Sequence, residues 1–242
     1  MKLSVNTNHA AVSASAHLAK NNALLIFDEM ITGFRWHLKG AQHYFGVNPD
    51  LSTFGKGMAN GFSLAALVGR KEIMSLGGIT PEGSERTFLL STTHGAELSS
   101  LGAFVETVSF YKDFNVCDQL WDFGDRLRYE LNSLSEELGL QEHFSVYGPS
   151  IALSFKTLDS NLNPSLDFRT LFTQEMVSSG VLFPCIAQSF SHGEQELDIT
   201  LSAARKSLIT YAKALSDDEK SVSPHARKGK RGFSGDLYKT DE

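Results

Sequence analysis

The sequence predicts an α/β protein: a mostly parallel sheet with helices on both faces, followed by a smaller α+β region. Three observations carry that expectation. Ala23-Leu24-Leu25-Ile26-Phe27 is an unbroken apolar run, as expected of a strand covered on both faces. Just before it, alanines, Val12 and Leu18 recur at near-helical spacing over residues 9–20, which supplies half of a βαβ unit. Beyond residue 140, short β-rich runs alternate with longer helical patterns.

In chain order, Ser63-Leu64-Ala65-Ala66-Leu67-Val68-Gly69 reads as a second buried strand, and Arg70-Lys71-Glu72-Ile73-Met74 opens a short helix. Residues 95–111 predict a long helix with Leu98, Leu101, Phe104, Val105 and Val108 as a core-facing stripe. The helical pattern resumes over residues 116–138, with Leu120, Phe123, Leu127, Leu131 and Leu134 on one face. Residues 144–147 and 151–155 predict two strands flanking a Gly148-Pro149 turn. A helix over residues 167–179 is stopped by Gly180, Val181-Leu182-Phe183 predicts a short strand, and residues 194–215 predict a final amphipathic helix. The implied organisation is a partial large domain over residues 1–112, a small C-terminal domain over 113–215, and a polar, flexible tail over 216–242.

Composition narrows the function classes. With 242 residues, 41% hydrophobic and 21% charged, the chain reads as a soluble globular protein. A net charge of −6 argues against nucleic acid as the main partner, because phosphate backbones call for a concentrated basic face. No apolar stretch reaches membrane-spanning length. Cys117 and Cys185 are too few for a disulfide framework or a zinc site, and point to a reducing, cytoplasmic setting. The eight histidines show no metal-ligand spacing, so no metal is expected.

Two residues point to chemistry. Asp28 leaves the apolar run where open α/β sheets bind ligands, beyond the carboxyl ends of their strands. Lys56 stands between Gly55 and Gly57, where no Cβ keeps a flat ligand from the backbone. Either motif alone also fits a helix cap or a solvated turn. Together they offer what pyridoxal phosphate needs: a lysine for a Schiff base and an acid that keeps the ring nitrogen protonated. Glu29, one residue after Asp28, points away from that site and fits a helix cap or a salt bridge.

The run from Ala23 through Asp28-Glu29-Met30-Ile31-Thr32-Gly33-Phe34-Arg35, and the run from Gly40 through Ser52-Thr53-Phe54-Gly55-Lys56-Gly57, resemble the signature of the class III pyridoxal-phosphate aminotransferases. Ser91-Thr92-Thr93-His94-Gly95 continues the likeness, as does, more weakly, Ser189-Phe190-Ser191-His192 with Glu194 and Glu196. Within that class the likeness is greatest to the glutamate-1-semialdehyde 2,1-aminomutase group. It implies a fold type I transferase, a homodimer with shared active sites, and a small amino-keto or amino-aldehyde substrate. By the same resemblance Lys56 is the Schiff-base lysine and catalytic base, Asp28 pairs with the ring nitrogen, Met30 takes the place of a valine packed on the ring, and Thr92 reaches the cofactor phosphate of the other subunit. His94 and Ala96-Glu97 depart from the family pattern beside Thr92.

The same likeness makes the chain resemble the C-terminal half of such an enzyme. No glycine-rich phosphate loop precedes Asp28, so weak cofactor binding and little turnover are expected of the 242 residues alone. The alternative to an enzyme is a non-catalytic half-protein that serves as a folding or dimerisation module.

Overall fold

The structure, a computed structural model, describes residues 20–21, 23–77 and 97–216. Most of the helix expected over residues 9–20, the loop bearing Thr92 and His94, and nearly all of the tail expected over 216–242 lie outside the described residues. The chain divides into two compact units, Met1–Gln119 and Leu120–Glu242.

In the first unit, strand β1 (Ile26–Asp28) pairs in parallel with β2 (Leu51–Phe54), and β2 pairs antiparallel with β3 (Ala66–Gly69). The expected parallel pairing is therefore met by β1 and β2, while β3 turns back along β2. A short helix α1 (Ala41–Phe45) lies in the connection between β1 and β2. The start of β1 is tied to that of β2 by Asp50, whose Oδ2 accepts from the Leu25 backbone N–H at 2.8 Å. This bond, with the Arg70 guanidinium 2.9 Å from Oδ1, holds the Asp50 carboxyl below its ordinary range. After β3 come a one-turn helix α2 (Lys71–Met74) and, further on, the long helix α3 (Leu98–Phe114).

An aromatic cluster lies in the core of this unit. Phe34, Phe54 and Met58 are buried, with Phe104, Val108 and Tyr111 of α3 packed against them. Phe34 meets Phe54, Phe104 and Tyr111 edge-on, at centroid separations of 5.9, 6.0 and 6.4 Å. Such pairs contribute about 0.5–1.5 kcal/mol each beyond the area they bury.

Two expectations are corrected here. The strand at residues 63–69 is shorter than expected and is not buried: it spans Ala66–Gly69, with Leu67 and Val68 exposed. The stripe on α3 is only partly a core face, because Leu98, Leu101 and Val105 are exposed while Phe104 and Val108 reach the aromatic cluster. An apolar spacing marks a side that favours cover but does not supply the cover.

The second unit has a large core. Helix α4 (Val116–Glu137) carries most of its length there and buries Leu120, Leu127, Leu131 and Leu134 on the expected face. Strands β4 (Phe144–Tyr147) and β5 (Ser154–Thr157) form an antiparallel pair, with Phe144 opposite Thr157 and Tyr147 opposite Ser154. The second strand begins later than expected, since Ile151 and Leu153 are buried in the connection. Asn132 of α4 satisfies both backbone groups of Val146, accepting its N–H at 2.8 Å and donating to its C=O at 2.9 Å. Helix α5 (Leu166–Ser178) starts at Ser165, whose hydroxyl accepts from Phe168 N–H at 3.2 Å. The final helix α6 (Glu194–Ser216) packs on α5 and buries Leu197, Leu208 and Tyr211. The Tyr211 hydroxyl donates to Leu158 C=O at 2.6 Å.

Val181-Leu182-Phe183 forms no strand, contrary to the pattern of its residues. The reason is the end of α5. Gly180 takes φ +85°, its N–H bonds Val177 C=O at 2.9 Å, and Val181 N–H bonds Met176 C=O at 2.9 Å. That pair of bonds is a Schellman-type cap, and it commits the Val181 amide to closing the helix.

Candidate active site

The parallel register of β1 on β2 builds the site. It sets Ile26 beside Leu51, Phe27 beside Ser52, and Asp28 beside Thr53. Both strands run the same way, so Asp28 and the Gly55-Lys56-Gly57 turn after Phe54 emerge together at the carboxyl edge of the pair. That edge is where open α/β sheets hold their ligands.

Asp28 is exposed, and its Oδ1 accepts two bonds: from Met30 N–H at 3.0 Å and from the Thr53 hydroxyl at 3.1 Å. Neither bond falls on Oδ2. Thr53 stood in the sequence pattern without a role, because its contact depends on the register between two strands 25 residues apart. The next residue goes the other way: Glu29 N–H bonds Thr53 C=O at 2.9 Å and its side chain turns into the unit, 1% exposed.

Glu29 is a cap, as expected, but a buried one reaching across the loop. Its Oε2 accepts from Ala41 N–H and its Oε1 from Gln42 N–H, both at 2.8 Å, and the Thr32 hydroxyl donates to Oε2. These amides open α1 and have no partner inside the helix. Gly40, just before α1, has φ +81°, and a Cβ on it would lie 2.6 Å from Glu29 Oε1. The glycine is thus needed both for its conformation and for the approach of the carboxylate.

Met30 ties the two strand ends. Its thioether methyl occupies the space that a Cβ on Gly55 would fill, so the residue before Lys56 must be glycine for this contact to exist. Lys56 opens a 3-10 turn, Lys56–Met58, with φ +47°, a left-handed conformation uncommon for a residue with a Cβ. Strain of this kind costs about 1–3 kcal/mol and clusters at functional sites. Its side chain is exposed.

An outward-facing acid, a half-buried thioether and an exposed amine thus share one edge, which fits the ring nitrogen, ring face and aldehyde of pyridoxal phosphate. Thr92 lies outside the described residues. The residues of the weaker C-terminal likeness serve the second unit: Arg126 donates to Glu194 Oε2 at 2.8 Å, and Gly193 N–H donates to Glu196 Oε2 at 2.8 Å, at the start of α6.

Comparison with known proteins gives a consistent family. The family model described as Aminotransferase class-III matches residues 6–188. The 3-aminobutyryl-CoA aminotransferase of Cloacimonas acidaminovorans is 33% identical over 201 residues, covering 80% of this chain and 45% of that protein. The glutamate-1-semialdehyde 2,1-aminomutase of Archaeoglobus fulgidus is 34% identical over 204 residues, covering 78% of this chain and 46% of that protein. Among solved structures, the PLP internal aldimine form of the Sphingopyxis sp. MTA144 FumI protein aligns with TM-score 0.73 at 24% identity, covering 89% of this chain and 49% of that one. An omega-transaminase from Sphaerobacter thermophilus aligns with TM-score 0.67 at 24% identity, covering 88% and 48%. These two likenesses establish the fold. The chain spans about half the length of the curated relatives it matches.

Proposed function

The chain belongs to the class-III aminotransferases, and from that premise we propose that its Asp28–Lys56 edge binds pyridoxal phosphate and carries amino-group transfer on a small amino-keto or amino-aldehyde substrate. The observation that supports this most is the parallel pairing of Asp28 with Thr53, three residues before Lys56. The acid that ends one strand and the amine just past the end of the next then lie at the same edge of the pair. The relatives' names, an aminotransferase and an aminomutase, share amino transfer and favour it over other reactions of the same cofactor.

When bound, the cofactor supplies an aldehyde for an amine and a ring that accepts electrons from the substrate carbon. Lys56 would hold the cofactor aldehyde through its Nζ and would serve as the base for a proton at the substrate α-carbon. Asp28, its Oδ1 fixed by Met30 N–H and the Thr53 hydroxyl, would keep a proton on the ring nitrogen. Met30 would pack on the ring face, and in a homodimer Thr92 would hold the cofactor phosphate of the other subunit. The two free thiols, Cys117 and Cys185, support a cytoplasmic setting, and no helix among the described residues is long and apolar enough to cross a membrane.

Replacing Asp28 by asparagine tests the acid's role. Asparagine keeps an oxygen for Met30 N–H and the Thr53 hydroxyl, so the thermal midpoint should hold. The loss of one charge-assisted bond, about 1.5–3 kcal/mol, should weaken pyridoxal phosphate binding roughly ten- to a hundredfold. Equal affinity in the two proteins, read by titrating the cofactor's visible absorbance, would remove Asp28 from the site.

A further inference from the structure

Lys56 holds its uncommon φ of +47° while its own side chain is exposed, so the turn around it must enforce that conformation. Its two neighbours do so through their bare α-carbons. The space that a Cβ on Gly55 would fill is taken by Met30. A Cβ on Gly57 would lie 3.7 Å from Phe34 Cβ, and 3.9 Å from both the Phe34 carbonyl oxygen and the Tyr111 hydroxyl oxygen. Both glycines thus turn their open side to protein, and not to a flat ligand as their place in the sequence suggests. Next along, Met58 is buried in the aromatic cluster, and its N–H bonds Gly55 C=O at 3.0 Å.

Of these supports, Phe34 is itself strained, with φ +58° in the loop that follows β1. Two strained loops that lean only on each other would relax together, so a third element must hold them. Helix α3 packs against the Lys56–Met58 turn, and Tyr111 is the residue of α3 whose side chain bears on both loops. Its ring meets Phe34 edge-on at 6.4 Å, and its hydroxyl end reaches toward Gly57. Burial pushes the pKa of that hydroxyl up, the Cys117 thiol adds to the effect, and Arg35 opposes it. At neutral pH the group is therefore an uncharged packing surface.

We propose that Tyr111 is a positioning residue for Lys56, bracing the Gly57 side of the turn and the Phe34 loop against α3 so that Lys56 stays left-handed. This rests on the reading of Lys56 as the amine that engages pyridoxal phosphate, and adds what holds that amine's backbone in place. An unbraced turn would fall back to the right-handed region that residues with a Cβ prefer, and would aim the lysine side chain elsewhere. Attack of an amine on an aldehyde depends on approach, and a displacement of about 1 Å can cost roughly a hundredfold in rate.

The test uses the full chain, first without pyridoxal phosphate. In Tyr111→Ala, hydrogen exchange at the Met58 amide should quicken at least about tenfold, while the Glu29 amide bonded to Thr53 C=O keeps its rate. With the cofactor and borohydride added, the rate at which a pyridoxyl label appears on Lys56 should fall roughly a hundredfold. Tyr111→Phe keeps the ring against Phe34 and should restore both readings. Tyr111→Leu keeps apolar volume in the cluster where alanine fails to fold, and should shift both readings in the same direction as alanine. Unchanged exchange at Met58 with unchanged labelling of Lys56 in either variant overturns the proposal. Equal loss of protection at Met58 and Glu29 also overturns it, because Tyr111 then supports the whole unit and not the turn. A label on a different lysine of the unsubstituted chain overturns the reading of Lys56 as the cofactor's amine, and the Met58 amide still decides whether Tyr111 holds the turn.

Discussion

Glu29→Ala should unfold the first unit's connection between β1 and β2 while leaving the second unit's transition in place. The substitution removes the acceptor for Ala41 N–H, Gln42 N–H and the Thr32 hydroxyl at a position 1% exposed to solvent. Water cannot readily replace that carboxylate. Each buried amide left without a partner costs about 1–3 kcal/mol, and the carboxylate's favourable position at a helix start adds to the loss. Together the loss should be about 3–5 kcal/mol, a large share of what a small unit can spare. Glu29→Gln should cost less but not nothing, because one oxygen becomes an NH2 group facing a backbone donor. Gly40→Ala should act in the same direction, through a Cβ set against Glu29 Oε1 at a φ that favours glycine. Trp36, 6% exposed, reports this region in a Trp121→Phe background during urea unfolding. An unchanged Trp36 transition in Glu29→Ala would show that α1 does not depend on this cap.

Lys56→Ala should remove the visible absorbance that pyridoxal phosphate gains on binding, and not merely weaken it. The other groups at the edge, Asp28 and Met30, can hold the ring but carry no amine. Lysine offers a nucleophile that becomes a base again once displaced, and no other side chain does both here. Since a positioned acid or base contributes roughly 100- to 10,000-fold to proton transfer, any amino transfer should fall at least that far. The substitution should not cost stability, because Lys56 is exposed and holds a left-handed φ of +47° that lysine itself adopts at some cost. Asn60 and Phe34 share the left-handed region nearby, so the turn is shaped by its surroundings and not by the lysine. A retained band in Lys56→Ala would require another amine at the cofactor.

Much of the candidate site was legible because it rests on local rules. A continuous apolar run ending in Asp28, and a lysine flanked by glycines, are readable from side-chain type and spacing alone. So was the capping role of Glu29, although its burial and its distant partners at Ala41 and Gln42 were not. Thr53 was missed because a hydroxyl gains a role only when register brings it to Asp28 Oδ1. The stripes on α4 and α3 look alike in sequence, yet Leu131 is fully buried and Leu98 is exposed. Periodicity identifies the face of a helix, while the presence of a partner surface depends on the rest of the assembly. Val181-Leu182-Phe183 shows the same limit at short range, where a helix cap outweighed β propensity.

Lys56 is the amine expected to engage the cofactor. This is tested most directly by incubating the protein with pyridoxal phosphate, reducing with borohydride, and mapping the peptides by mass spectrometry. A pyridoxyl group is expected on the peptide containing Gly55-Lys56-Gly57, at an occupancy well above that of any other lysine. Label spread evenly over exposed lysines such as Lys39 and Lys71, or concentrated on one of them, would contradict it.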